Sequence, residues 1–258
     1  MRVALQLLVR RHAVLRTFYQ MSQTGVQQII MPADGFVVPL DMCSEEDWHA
    51  QSAQTLSQPF ALTKAPPVRA LLMCSDGRQS TRLLVVVDHV AADYASTLII
   101  QRELHLACEA MHRGVSPILP RLQLQYADFA LWREQHRVSG DDAAPLEWWR
   151  RKLDGAPQLL QLPIDRPRLP MGHAVGGWSV SACLDSTLGT ALSELCTQER
   201  VSILCCLLAA WAVLMMRLSG QNDVVLGQPY SVQLEYTELR NVIGCFATPG
   251  ELAQTHLR

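Results

Sequence analysis

The chain has 258 residues, 49% of them hydrophobic, enough for one large domain or two lobes of ordinary size around a packed core. Its 22 Lys and Arg against 24 Asp and Glu give no electrostatic footprint for nucleic acid or an anionic membrane surface as main partner. The 8 cysteines are scattered, with no C-x-x-C pair and no metal-ligand spacing, which favours reduced thiols in a cytoplasmic protein over a disulfide framework.

Val3, Leu7, Leu8, Val14, Leu15 and Phe18 fall near helical spacing with Arg10, Arg11 and Arg16 between them, and predict a helix running into a strand near Arg16–Tyr19. Gln6 and the arginine pair interrupt the apolar run before any small-residue cleavage site, which argues against a signal peptide. "QQIIMP" and "FVVPL" read as short strands split by the turn former Asp34-Gly35, hence a hairpin. Ser44 and the acids after it predict a helix N-terminus. "PPVRALLMC" and "TRLLVVVDHV" predict two strands of a sheet, and "STLIIQRELHLACEAMHRG" a helix closed by Gly114.

From 115 to 178 the chain is rich in Pro and Trp: "LQYADFALWREQH" and "LEWWRRKLDGAP" predict helices, and the extended "LPIDRPRLP" a linker between lobes. Beyond it "WSVSACLD" alternates like a strand, two helices follow at about 186–199 and 202–218, and "DVVLGQPYS" predicts another strand. The apolar run of "SILCCLLAAWAVLMMRLSG" is shorter than the roughly 20 residues a spanning helix needs and reads as a buried core helix. The pattern as a whole is α/β: an N-terminal lobe over 1–161, a linker over 162–178 and a partial C-terminal lobe over 179–258.

One stretch carries chemistry. In "RLLVVVDHVAADYAST", residues 82–97, a run fit for a buried strand ends in Asp88 and His89, and Asp93 follows where a helical pattern begins. An imidazole with an ordinary pKa of about 6.5 can take or position a proton at neutral pH, or hydrogen-bond a developing oxyanion; the sequence leaves both roles open. Asp88 precedes His89 on a strand and so faces the other way, a supporting position. A metal site lacks a second histidine at helical spacing. Tyr126, Phe129 and Trp132 read as core aromatics with Asp128 near a cap, and Cys205 and Cys206 as inert thiols in an apolar run. Trp148 and Trp149 beside Arg150, Arg151 and Lys152 fit a solvated helix as well as a nucleic-acid surface.

Six stretches in order resemble motifs of the condensation domains of nonribosomal peptide synthetases. "RRHAVLRTFY" (10–19) resembles RHxxLRTxF, "DHVAADY" (88–94) a variant of HHxxxDG, "YADFALW" (126–132) YxDYxxW, and "LPIDRPR" (162–168) LPTDRPR. "SGQNDVVLGQP" (219–229) is similar to SGQxDxxxGxP, and "VIGCF" (242–246) to the start of IGxFVNT. The resemblance implies a two-lobed chloramphenicol acetyltransferase-like fold with a tunnel between lobes. Peptidyl or acyl carrier proteins, alongside an adjacent adenylation domain, would present thioesters on phosphopantetheine arms, and an amide bond would form between them. No cofactor or metal would be bound directly.

By the same resemblance His89 is the catalytic histidine, as base or positioning group. Asp93 is the acid that pairs with an arginine, for which Arg240 and Arg258 are candidates, and shapes the loop; Arg16 orders the first lobe. Two motif positions differ: Asp88 stands for the first histidine, and Tyr94, a possible tunnel-lining ring, stands for the glycine. The motif set starts at what is usually the family's second motif and stops early, so a fragment truncated at both ends is expected. The alternatives are an impaired remnant that binds carrier proteins without turnover, or an epimerising or ester-forming relative.

Overall fold

The computed structural model describes residues 1–23, 25–74, 81–140, 143–165, 180–248 and 252–256. Contacts divide the chain into two compact units, Met1–Asp142 with Pro229–Thr248, and Ala143–Gln228 with Pro249–Arg258. The first therefore recruits a late segment, and its boundary falls before the 161 expected from sequence. Most of the expected linker lies outside the described residues.

In the first unit, helix α1 (Arg2–Arg11) buries Ala4, Leu5, Leu8 and Val9, the apolar stripe that its sequence spacing lays on one face. They join Ile99, Ile100, Leu104 and Ala107 of helix α3 (Tyr94–His112) in one core cluster. A 3-10 turn, Ala13–Arg16, leads into strand β1 (Thr17–Ser22), which pairs antiparallel with β2 (Gly25–Ile30). This hairpin turns at Gly25, whose φ of 118° is a conformation side chains disfavour. The hairpin expected around Asp34-Gly35 is thus corrected: "FVVPL" supplies only its last residue, Leu40, to β3 (Leu40–Cys43), which joins a separate sheet.

That sheet has the order β3, β4 (Val68–Cys74), β5 (Thr81–Val87), with β3 parallel and β5 antiparallel to β4. Central β4 reads as a near-continuous apolar run because Val68, Ala70, Leu71, Leu72 and Met73 are all buried. Helix α2 (Trp48–Ser57) begins one turn later than expected. Ser44 instead closes the turn before it, its Oγ donating to Asp47 Oδ2 at 2.8 Å.

A buried polar knot ties α1 to α3. His12 and Glu103 are 1% and 2% exposed, with Nε2 of His12 2.8 Å from one carboxylate oxygen, while Arg11 Nε donates to the other at 3.1 Å. Burial pushes the His12 imidazole below its ordinary value, against the opposing pull of Glu103. Burial acts to raise Glu103, but the hydrogen bonds and charges of His12 and Arg11 outweigh it and hold the carboxyl low.

Helix α4 (Tyr126–Ser139) opens on a capping box of Gln125 and Asp128 and closes on left-handed Gly140, so Asp128 has the capping place expected of it. Gln125 also accepts from Ala13 N at 2.9 Å and donates to Arg11 O at 3.1 Å, fixing α4 to the first motif. Strands β7 (Tyr230–Ser231) and β8 (Ala247–Thr248) complete the unit as an antiparallel pair.

The second unit contains helices α5 (Ala143–Lys152), α6 (Ser186–Glu199) and α7 (Ile203–Ser219), and strand β6 (Asp223–Gly227) antiparallel to β9 (Leu252–His256). The strand expected in "WSVSACLD" is not present over its described part: residues 180–185 have no ladder partner. Helix α7 corrects a second expectation. Only Ala212 and Met215 are buried, whereas Ile203, Leu207 and Trp211 are 50%, 46% and 53% exposed, because no described element covers that face. Among the described residues no single helix is long and apolar enough to cross a membrane.

Candidate active site

Strand β5 ends at Val87, and the chain then turns rather than extends. Asp88 makes this turn: its Oδ1 accepts from Val90 N at 3.0 Å, its amide donates to Pro67 O at 2.8 Å and its carbonyl accepts from Ala91 N at 2.9 Å. Asp88 therefore supports the backbone, but as a turn former and not through strand alternation. The turn pushes His89 out of the sheet, leaving an exposed ring whose Nδ1 lies 3.6 Å from Cys245 Sγ.

Asp93 is the N-cap of α3 and is 4% exposed. One of its oxygens accepts from Ser96 N and Ser96 Oγ, both at 2.9 Å. The other accepts from the amides of Phe246 and Ala247, both at 3.1 Å. Ser96 Oγ lies 2.8 Å from Gly244 O and 3.0 Å from Gly244 N, and Asp93 N donates to Gly244 O at 3.2 Å. A buried carboxylate needs several donors, and here backbone amides supply them. The arginine expected beside Asp93 is not among its described partners. Arg16 donates to Met31 O and so steadies the end of β2, while Arg258 lies outside the described residues.

The loop at 244–247 is gripped from its other side by Tyr126, whose hydroxyl donates to Cys245 O at 3.0 Å. Its ring packs edge-on to Phe246, and a Cβ built on Gly244 would overlap it. Only glycine admits so close an approach. Gln233, 4% exposed, donates to Leu239 O and Val242 O at 2.8 Å each and fixes the approach to the loop.

Burial, then the nearby Asp88 and Cys245, pushes the Tyr19 hydroxyl up to about 12; that hydroxyl has no hydrogen-bond partner among the described residues. Tyr126 is likewise pushed up to about 12 by burial and by Cys245, Tyr19 and Asp93. Burial, with Asp93, also raises the Cys245 thiol. The thiol stays protonated at neutral pH and is not set up as a nucleophile.

Tyr94, in the first turn of α3, is 79% exposed, so its ring does not enter the core. Among the described residues no group of three or more His, Cys, Asp or Glu is placed to hold a metal ion. An apolar cleft of about 370 Å³ lined by Leu124, Phe129, Trp132, Tyr236 and Leu239 does not include His89.

The structure thus brings Asp88, His89 and Asp93 to one turn, joins them to the "VIGCF" loop, and leaves Arg16 apart. Cys245, Ser96 and Gly244 are the residues sequence reasoning missed. Cys245 stood inside a recognised motif, yet its partner is 156 positions away, and only the shared match to a family hinted at the contact. Chemically, the site offers an exposed imidazole with one nitrogen beside sulfur, on a turn whose neighbouring loop is fixed by a buried carboxylate.

Comparison with known proteins is consistent with this geometry. The family model for the condensation domain matches residues 1–248. Phosphinothricin tripeptide synthetase PhsB of Streptomyces viridochromogenes is 35% identical over 252 residues, 92% of this chain and 20% of the relative. Malpibaldin synthetase of Mortierella alpina is 33% identical over 250 residues, 94% of this chain but 4% of the relative. Among solved structures, the X-domain from teicoplanin biosynthesis superposes with a TM-score of 0.82 at 30% identity, covering 95% of this chain and 55% of that one. The X-domain has also been solved in complex with OxyB. The chain therefore spans about half of that neighbour and a small part of the synthetases, with the mixed α/β, chloramphenicol acetyltransferase-like fold class expected. On these matches the chain belongs to the condensation-domain family of nonribosomal peptide synthetases.

Proposed function

We propose that the chain serves amide bond formation between acyl and aminoacyl groups tethered to carrier proteins, with His89 at the reacting centre. The observation that carries this reading is the open imidazole of His89 on a turn braced by Asp88 and, through the 244–247 loop, by Asp93. Attack of an amine on a thioester needs a proton removed from nitrogen as the tetrahedral intermediate forms, and a thiolate leaving group that ends as a thiol. One imidazole can pass the proton between them. Phosphopantetheine arms bring the reacting groups in, no cofactor of the chain's own takes part, and an adenylation domain supplies the aminoacyl partner. Asp93 acts as loop stabiliser, Asp88 as turn former and Arg16 as scaffold. Tyr94 lines the path of one arm.

The test loads donor and acceptor carrier proteins and reads product by intact-protein mass spectrometry, using the chain with any flanking domains its gene encodes. A mass matching the ligated acyl-aminoacyl carrier supports the proposal, and carriers left unchanged overturn it. Ester formation or epimerisation at the same histidine would show as a hydroxyl-linked product or inverted stereochemistry.

A second reading is favoured by Tyr94 and by the X-domain likeness: a module that docks carrier or partner enzyme without turnover. Tight binding of a holo carrier with no product would support it.

A further inference from the structure

The contacts of Cys245 bear on which of the two nitrogens of His89 carries the proton, and this deepens the function proposed above. Cys245 Sγ lies 3.6 Å from His89 Nδ1 and 4.0 Å from the carbonyl oxygen of Ala247. A carbonyl only accepts, a thiol has one proton to give, and a neutral imidazole has one nitrogen that donates and one that accepts. If the thiol proton points at Nδ1, the sulfur gives nothing to Ala247 O and a single weak bond forms at the sulfur. If it points at Ala247 O, the sulfur lone pairs face the ring, Nδ1–H donates to sulfur, and two bonds form in a chain. The second arrangement makes more hydrogen bonds from the same atoms.

We propose that Cys245 is a positioning residue: its thiol, donating to Ala247 O, accepts from Nδ1–H of His89 and so leaves Nε2 unprotonated and turned outward. This tautomer makes His89 a proton acceptor toward substrate rather than a donor to an oxyanion, separating two roles that the sequence alone leaves open. It also gives the Asp93 lock a purpose. Asp93 holds the amides of Phe246 and Ala247, on the far side of Cys245 from Gly244, whose amide donates to Ser96 Oγ and whose carbonyl accepts from Asp93 N, so both flanks of the thiol are fixed. Tyr126 fixes the Cys245 carbonyl between them.

The preference is worth one weak hydrogen bond, which weights the Nδ1–H tautomer roughly two- to fivefold over the ratio without the thiol. The test is nitrogen-15 NMR of histidine-labelled full chain at a pH where the ring is neutral, with His89 assigned from the signal lost in His89→Gln. The wild-type chain shows an Nδ1–H to Nε2–H ratio about two- to fivefold above that of variants lacking the thiol. Cys245→Ser, which keeps one donor and an acceptor, retains it, and Cys245→Ala shifts the ring toward Nε2–H by that two- to fivefold factor. The buried His12 ring, held by Glu103, reports in the same spectrum that the fold is intact. Should the alanine variant unfold, Cys245→Val fills the thiol's volume without donor or acceptor and gives the same reading. A wild-type ring already in the Nε2–H form, or one indifferent to both apolar substitutions, overturns the proposal. Because the readout needs no turnover, its failure is distinct from that of the proposed function, which is decided by product.

Discussion

Replacing Asp93 by Asn changes one oxygen to an amide nitrogen and no volume. In the native site one oxygen accepts from Ser96 and the other from two backbone amides, Phe246 and Ala247. Asparagine keeps only one accepting oxygen. If it retains the Ser96 bonds and hence the helix cap, its NH2 group faces two N–H donors. If it flips, the cap and the Ser96 hydroxyl lose their acceptor. In the first case two amides are orphaned at about 1–3 kcal/mol each, and half-buried Ala247 recovers part of its share from solvent, so the expected loss is about 2–4 kcal/mol. Urea denaturation followed by the signal of the first unit measures it, and hydrogen exchange locates it: protection at Phe246 and Ala247 falls together while α1 is unaffected. Asp93→Ala should cost about 1 kcal/mol more, from the lost cap. A loss below about 1 kcal/mol for the asparagine variant, with those amides still protected, would refute the view that this carboxylate holds the loop.

Other consequences follow from the same contacts. Gly244→Ala drives a methyl into the Tyr126 ring and should cost about 1–3 kcal/mol of stability by denaturant titration; a neutral result would contradict the close approach. Glu103→Gln leaves Arg11 facing a neutral amide in a buried site and should cost about 3–5 kcal/mol, checked the same way. The pH dependence has one sign for both members of that knot. Glu103 is held below its ordinary 4.5, so its contribution is full above that value and lost as pH falls through the folded one. His12 is held below 6.5, so the unfolded chain takes up a proton the folded chain refuses, and stability declines as pH drops from 6.5. Denaturation midpoints at pH 7.5, 5.5 and 4 should fall in that order; a flat series would contradict it. Tyr94→Gly removes an exposed ring, should change stability by no more than about 1 kcal/mol, and on the proposed function should raise product yield. An unchanged yield would mean that the ring does not line the path.

The sequence carried the helices because their periodicity is local: α3, α4, α6 and α7 lie where their apolar spacing and caps put them. It carried β4 and β5 for the same reason, two apolar runs close together in sequence. What was illegible depends on partners distant in sequence. The pairing of "QQIIMP" with the strand before it, and not with "FVVPL" after it, closes where Ser22 pairs with Gly25, a stretch whose sequence signal was weaker than Asp34-Gly35. The alternation of "WSVSACLD" has a strand's period, yet a strand exists only with a ladder partner, and period alone supplies none. At the site, the place of His89 just past the end of a strand was legible from the local pattern. The contact that orients it was not, because neither Cys245 nor the amides satisfied by Asp93 bear a local signature; they meet only when the loop at 244–247 docks on the start of α3. The exposed face of α7 shows the same limit from the other direction: composition reports that a helix is apolar, not what lies against it.

The central claim is that the His89 ring moves the proton in joining two tethered acyl groups. Single-turnover formation of the ligated carrier product, read by mass spectrometry for the wild-type chain and for His89→Ala in the same flanking context, tests it most directly. The account predicts a fall of about 100-fold or more, the usual contribution of a positioned acid–base group. A variant that forms product within about threefold of the wild-type rate would contradict it, since that lies far below any such contribution.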